Sequence, residues 1–214
     1  MSVVAIMASG PLDHIPELQA YNEEISTWIA ADRGALTLIN QGINVTYALG
    51  DFDSVTVEQK KLVQSKATYF AAYPVEKDET DLEIAIQKAL ELNPEKIYLF
   101  GVTGGRFDHT FINVQLLHTI LEAGVQGIII DSWNQLELTK PGKHSITKNE
   151  HFPYISFVPL TKEVTGISLS GFYYPLKQAA ITWGSTLCIS NQLLDQTGEL
   201  SYKTGMLLAI KSRD

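Results

Sequence analysis

The sequence predicts an α/β chain in two parts. A mostly parallel sheet with flanking helices comes first, and a small antiparallel β unit follows. Three observations predict this. Short, unalternated apolar runs recur through the first two-thirds, each followed by a loop and then a helical pattern. After Asp131, Pro and Gly punctuate brief β-prone runs instead. There no stretch holds helical period for three turns.

The first-part strands are read at Val3–Ala8, Thr27–Ala31, Val45–Leu49, Thr68–Ala72, Ile97–Phe100 and Gly127–Ile130. Runs this short and this uniformly apolar suit strands buried on both faces. Between the second and third lies a helix at roughly Ala35–Gln41, stopped by Gly42. Ser54 is placed to cap a helix after the third strand. The clearest helix is Asp81–Leu92, whose Leu82, Ala85, Ile86, Ala89 and Leu90 make one apolar face. Thr80 serves as its N-cap with Glu83 as capping-box partner, and Pro94 closes it. A further helix, Thr110–Ala123, stops at Gly124. Strand and helix in alternation give the Rossmann-like arrangement. The second part is read as strands at Leu136–Thr139, Ile155–Pro159, Gly166–Leu169, Ala179–Trp183, Thr186–Ser190 and Met206–Ile210, forming a sandwich or barrel. The boundary falls near residues 131–135, dividing the chain into 1–133 and 134–214.

Composition bounds the function. The 214 residues are 45% hydrophobic and 19% charged, which excludes disorder, collagen and coiled coil. Sixteen Lys+Arg against 24 Asp+Glu leave a net charge of −8, so a broad nucleic-acid footprint is excluded. A nucleotide remains open to an acidic chain if a metal cation bridges the two. Cys188 stands alone and cannot form an intrachain disulfide, which points to a reducing compartment. No apolar run is long enough for a membrane span. The N-terminal stretch lacks Lys and Arg, and its apolar run is too short for a signal peptide. The expectation is a cytoplasmic protein with no membrane contact.

Four polar motifs sit just past successive predicted strands: Asp32-Arg33-Gly34-Ala35, Gly50–Ser54 (GDFDS), Lys77–Asp81 (KDETD) and Gly101–His109 (GVTGGRFDH). Ligands of open α/β sheets bind at the carboxyl ends of the strands, so all four converge on one expected site. Asp51 and Asp53 are two apart and repel unless a cation sits between them; hard oxygen ligands suit Mg²⁺. Taken alone, that pair also reads as a solvated turn. Asp78 and Asp81 can complete a metal shell, with Lys77 facing a substrate, although Asp81 in a first helical turn has its own reason in the helix dipole. Gly104 and Gly105 let backbone N–H groups approach a phosphate, and Arg106 can fork onto it. Asp108 can orient Arg106 or bind a base or ribose. Asp32 and Gly34 can hold a phosphate or nucleoside at a helix start. His109 reads as an ordinary helix-start residue. Tyr174, within an aromatic run, offers a face to a flat or cationic heterocycle, and Ser190-Asn191 can bond a polar edge. Core packing and an Asx turn explain the same residues without a ligand.

Together these motifs, in this order over nearly the whole chain, resemble the bacterial-type thiamine pyrophosphokinases. ADRGA (Ala31–Ala35) is similar to the family's ADGGA, with Arg33 where the family usually has Gly. GDFDS, KDxTD (Lys77–Asp81) and GGRxDH (Gly104–His109) match, and YPL (Tyr174–Leu176) and SN (Ser190–Asn191) resemble late family motifs. The resemblance implies an α/β domain binding ATP and Mg²⁺, a thiamine-binding β-sandwich, and a homodimer with the active site at the subunit interface. It implies transfer of the β,γ-diphosphate of ATP to the thiamine hydroxyl, giving thiamine diphosphate and AMP. Metal positions fall on Asp51, Asp53, Asp78 and Asp81. Asp53, Asp78, Asp81 and Arg106 are the expected catalytic set. Nucleotide positions are Asp32, Gly34, Gly104, Gly105, Arg106 and Asp108. Thiamine positions are Lys77, Tyr174, Ser190 and Asn191. Two alternatives stay open: the same chemistry on another alcohol such as a pterin, and a nucleotide-sensing module without turnover.

Overall fold

The computed structural model describes residues 2–214. They divide into two compact units, residues 2–132 and Trp133–Asp214.

The first unit contains β1 (Val3–Met7), β2 (Thr27–Ala31), β3 (Tyr47–Gly50), β4 (Tyr69–Ala72), β5 (Lys96–Phe100) and β6 (Gln126–Ile130). Its helices are α1 (Gly34–Asn40), α2 (Val57–Lys66), α3 (Asp81–Glu91) and α4 (Phe107–Glu122). All six strands run parallel in the order β4-β3-β2-β1-β5-β6. Each strand lies within two residues of its expected place. The central β1 is buried along its whole length, and Trp28, Phe100 and Ile130 belong to one core cluster with it. β4 departs from the expectation of two buried faces. It is the sheet edge, and Tyr69 is exposed on it, stacked on Tyr47 at 4.9 Å.

The helices begin where their caps dictate. Thr56, not Ser54, caps α2: its side chain accepts from Gln59 N, and Gln59 accepts from Thr56 N, a complete capping box. Ser54 Oγ instead donates to Asp32 Oδ2 at 2.6 Å. Thr80 caps α3 as expected through Glu83 N, without the reciprocal bond from Glu83 among those observed. α4 starts three residues earlier than its apolar period indicates, because its first turn, including Phe107, faces solvent.

The second unit is entirely antiparallel. Its strands are β7 (Asn134–Thr139), β8 (Gly142–Thr147), β9 (Tyr154–Pro159), β10 (Glu163–Ser170), β11 (Leu176–Thr182), β12 (Thr197–Tyr202) and β13 (Leu207–Ser212). They form two sheets, β7-β13-β9 and β11-β10-β12-β8. Phe157 and Leu207 from one pack with Ile167, Leu169, Ile181 and Leu200 from the other, so the unit is a sandwich. β8 and β12 escape a search for apolar runs because each buries one face only. In β12, Gly198, Leu200 and Tyr202 point inward and alternate with Glu199 and Ser201. The expected strand at Thr186–Ser190 is a turn; it contributes the buried Cys188, whose carbonyl accepts from Phe157 N.

Candidate active site

The strand order places the carboxyl ends of β1 and β5 side by side, where the chain direction of the sheet connections reverses. The backbones there nearly touch. Gly10 N donates to Gly101 O at 2.8 Å, and a Cβ on Gly10 would lie 2.5 Å from that oxygen, so no larger residue fits. A cleft of about 790 Å³ opens above this point. Asp32, Asp51, Lys77, Asp81 and Arg106 line it, together with Gly104 and Gly105.

Two backbone features aim the acids. Asp32 and Phe52 both take left-handed backbone (φ 49° and 57°), a conformation that costs a non-glycine residue about 1–3 kcal/mol. Asp32 is held there by its N–H on Leu49 O and by the Ser54 hydroxyl. Phe52 is held by burial and by stacking on Phe70 at 4.7 Å. The turn at Phe52 lets Asp51 Oδ1 accept from Asp53 N at 3.0 Å. Arg33 itself has φ −60°, ordinary helical backbone, so its place needs no glycine; its side chain also lines the cleft.

The acids act on one another. Asp53 is exposed, and the charge of Asp51 beside it raises its pKa, with Asp32 adding to the effect. Asp51 moves the other way, lowered mainly by the bond from Asp53 N and further by Lys77. Burial raises the pKa of Asp81 despite the neighbouring ammonium. Lys77 Nζ lies 3.0 Å from Asp81 Oδ1 and 3.5 Å from Asp51 Oδ2. Burial disfavours its charge, but those two carboxylates prevail and hold the ammonium above its ordinary pKa.

This donor set suits a hard divalent cation. Asp32 Oδ1 is buried with no hydrogen-bond partner, and Asp51 and Asp81 already share a cation in Lys77. Among the described residues no three acid, imidazole or thiol groups form a ready cage. A Mg²⁺ ion here would take one or two carboxylates and complete its shell with substrate phosphates and water, its usual habit.

The other expected residues distribute around this centre. Asp53 and Asp78 are exposed and off the cleft wall. Gly34 is buried; a Cβ on it would meet Met7 O at 2.1 Å, so its smallness serves helix-to-strand packing. Asp108 forks onto Arg106 (Nε–Oδ1 3.2 Å, Nη2–Oδ2 2.6 Å), and this pairing lowers its pKa to about 2. Both side chains are exposed. His109 lines the cleft. Ser9, Thr103 and Asn113 line it as well and are absent from the sequence-derived set. The loop Ser9-Gly10-Pro11 follows the first strand at the reversal point and carries the small residues such a place requires, a readable signal.

In the sandwich unit, Tyr174 is exposed and packs edge-on against Tyr173 at 4.9 Å. Asn191 is buried, and its amide is committed to backbone: Oδ1 accepts from Tyr174 N and Gln192 N, and Nδ2 donates to Tyr174 O. Its visible role is to hold Tyr174 in place. Ser190 is exposed in left-handed backbone (φ 55°), fixed by its N–H on Ser156 Oγ. Lys77, the other residue expected at thiamine, lies in the first unit and pairs with Asp51 and Asp81.

Comparison with known proteins covers both units. Residues 18–129 match the family model for the thiamin pyrophosphokinase catalytic domain, and residues 143–207 match that for its vitamin B1 binding domain. The thiamine pyrophosphokinase of Bacillus subtilis is 41% identical over 214 residues, the full length of both chains. A crystal structure of the Bacillus subtilis protein superposes with a TM-score of 0.94 over all of both chains at 40% identity. A thiamin pyrophosphokinase family protein from Enterococcus faecalis gives 0.92 at 28% identity, again over all of both chains.

Proposed function

The chain belongs to the thiamine pyrophosphokinase family, and we propose how its residues divide the work of that reaction. The enzyme transfers the β,γ-diphosphate of ATP to the hydroxyl of thiamine and releases AMP. Residues 1–133 are assigned to ATP and its Mg²⁺, and residues 134–214 to thiamine. The observation that carries the assignment is the cleft at the ends of β1, β2, β3 and β5, where acids, glycines and Arg106 meet.

Asp32, Asp51 and Asp81 on the cleft wall are the residues to hold the cation, with the exposed Asp53 next to Asp51 and Asp78 reaching it from outside. When bound, the cation supplies neutralisation of phosphate charge. Gly104 and Gly105 offer backbone to the phosphates at the start of α4, and Arg106 leaves Asp108 to grip the transferred diphosphate. Asp32 is assigned to the nucleotide side, and Gly34 serves it by letting α1 start close against β1. Tyr174 presents its face to the thiazolium cation, Asn191 fixes Tyr174, and Ser190 offers a polar edge. Lys77, paired to two cleft acids, acts on the phosphates rather than on thiamine. Little acid–base chemistry is needed beyond removal of one hydroxyl proton, so positioning and charge neutralisation carry the rate. A cytoplasmic homodimer with the active site at the subunit interface completes the proposal. Among the described residues no helix is long and apolar enough to cross a membrane.

The test is phosphorus NMR of the protein with ATP, Mg²⁺ and thiamine. Equal amounts of AMP and thiamine diphosphate are expected, without ADP. ADP as the nucleotide product would overturn the assignment. Turnover with a pterin alcohol but not thiamine would move the acceptor, and nucleotide binding without products would make the chain a sensor.

A further inference from the structure

A loop with two adjacent glycines is expensive to hold in one shape, because glycine loses more backbone freedom on ordering than any other residue. Residues 101–106 form such a loop, with Gly101, Gly104 and Gly105 all at positive φ. Yet three contacts hold it, and two of them trace to the end of β6. Thr103 Oγ1 donates to Asp131 Oδ2 at 2.7 Å, and both residues are buried. Next to Asp131, Ser132 N donates to His14 O at 2.9 Å and Ser132 Oγ to Asp13 O at 3.0 Å. That fixes the main chain of Asp13 and His14, and Gly104 is pressed against the His14 ring so closely that a Cβ there would lie 2.8 Å from Nδ1. From α4, Asn113 Nδ2 donates to Val102 O at 2.8 Å. The loop is thus pinned from below by β6 and from behind by α4.

We infer that Asp131 is a positioning residue for the phosphate-gripping loop: through Thr103 it holds the Gly104–Gly105 backbone in the shape that receives the nucleotide. Acting through the Thr103 hydroxyl, it spares the nucleotide the cost of ordering the loop, which is how preorganised donors contribute to rate. The inference rests on the reading of this loop as the phosphate site.

The experiment compares Thr103→Val, which keeps shape and removes the hydroxyl, with Thr103→Ser and Asp131→Asn. The readouts are nitrogen-15 order parameters of Gly104 and Gly105, affinity for an α,β-bridged ATP analogue with Mg²⁺, and the two KM values. In Thr103→Val the order parameters are expected to fall from about 0.85 toward 0.6. Analogue affinity is expected to weaken roughly tenfold, the scale of one charge-assisted hydrogen bond, while the thiamine KM holds. Thr103→Ser is expected to restore both readouts, and Asp131→Asn, which retains an acceptor oxygen, to fall between. Unchanged order parameters in folded Thr103→Val would overturn the clamp and leave the proposed function standing. A loosened loop with unaltered analogue affinity and turnover would show the clamp but remove the loop from the phosphate site, overturning the reading beneath it.

Discussion

Lys77 occupies the place between Asp51 and Asp81 where a divalent cation would be useful, and replacing it by methionine tests the whole cluster. Methionine keeps most of the apolar stem and deletes the charge. At 3.0 Å from Asp81 and 3.5 Å from Asp51 the ammonium is mostly shielded from solvent, with 13% of its side chain exposed. Each contact is worth ~5 kcal/mol of gross attraction at an effective dielectric constant of about 20. Desolvation of the charges and ordering of the lysine chain offset most of that, leaving about 1–2 kcal/mol net. For a chain of this size that is a fall of roughly 2–8 °C in melting temperature. The fall should appear in chelator and shrink when Mg²⁺ and ATP analogue are added, because the cation then takes over the neutralisation that Lys77 supplied. Thermal melting of both proteins, with chelator and with Mg²⁺ plus analogue, reads both effects, and turnover should fall in parallel. An unchanged melt in chelator, or a Mg²⁺ increment equal to that of the wild type, would refute the idea that Lys77 and the metal serve the same carboxylates.

Three other outcomes follow from the same geometry. The pKa of Asp53 is raised by Asp51, so the ionised group opposes folding above that pKa and ceases to do so as pH falls through it. Asp53→Asn should therefore melt higher than the wild type at neutral pH in chelator, lose that advantage in acid, and lose most turnover; a lower melt at neutral pH would contradict the shared charge. Asp108, lowered to about 2 by Arg106, contributes stability above the ordinary carboxylate range that is lost as pH falls toward 2. Carbon-13 titration of its carboxyl should show the midpoint rising toward the ordinary value in Arg106→Ala or on nucleotide binding, and an unmoved midpoint would mean that Arg106 never exchanges partners. Tyr174→Ala should weaken thiamine by about 1–2 kcal/mol while sparing ATP; Asn191→Ala should reproduce part of that loss through the freed Tyr174 backbone, and normal thiamine affinity in both would remove this wall from the site.

The legible part of this chain is the part where one signal suffices. Buried parallel strands are uniform apolar runs, so β1, β2 and β5 stand out, and α3 shows its apolar face at helical spacing. Strand ends then place the acids, because the topology of a parallel sheet sends every loop of one kind to the same edge. What was not legible depends on pairing or on partners. β8 and β12 are visible only once their neighbours cover one face. Ser54 has the composition of a helix cap but lies too early, and its hydroxyl goes to Asp32. Asn191 reads equally as ligand or scaffold until its amide is seen on Tyr174. Thr103 and Asp131 lie 28 positions apart, and nothing local links them.

The strained residues join these levels. Among the described non-glycine residues, left-handed backbone occurs at Asn93 and Gln178, which are assigned no ligand, and at Asp32, Phe52 and Ser190, three positions within or between the residues assigned to ligands. Each of these three is over-determined by ordinary contacts: a strand-end hydrogen bond and Ser54 at Asp32, aromatic stacking at Phe52, Ser156 at Ser190. At Phe52 the reason is plainest. A relaxed extended turn would let Asp51 and Asp53 diverge into water, where their repulsion is weak. The left-handed turn instead folds Asp53 N onto Asp51 Oδ1 and keeps both carboxylates beside the Asp32 charge. The pair Phe52–Phe70 thereby sustains a repulsion between Asp51 and Asp53 that Lys77 relieves in part. On the proposed metal assignment, the Phe52–Phe70 contact contributes to the affinity alongside the acids.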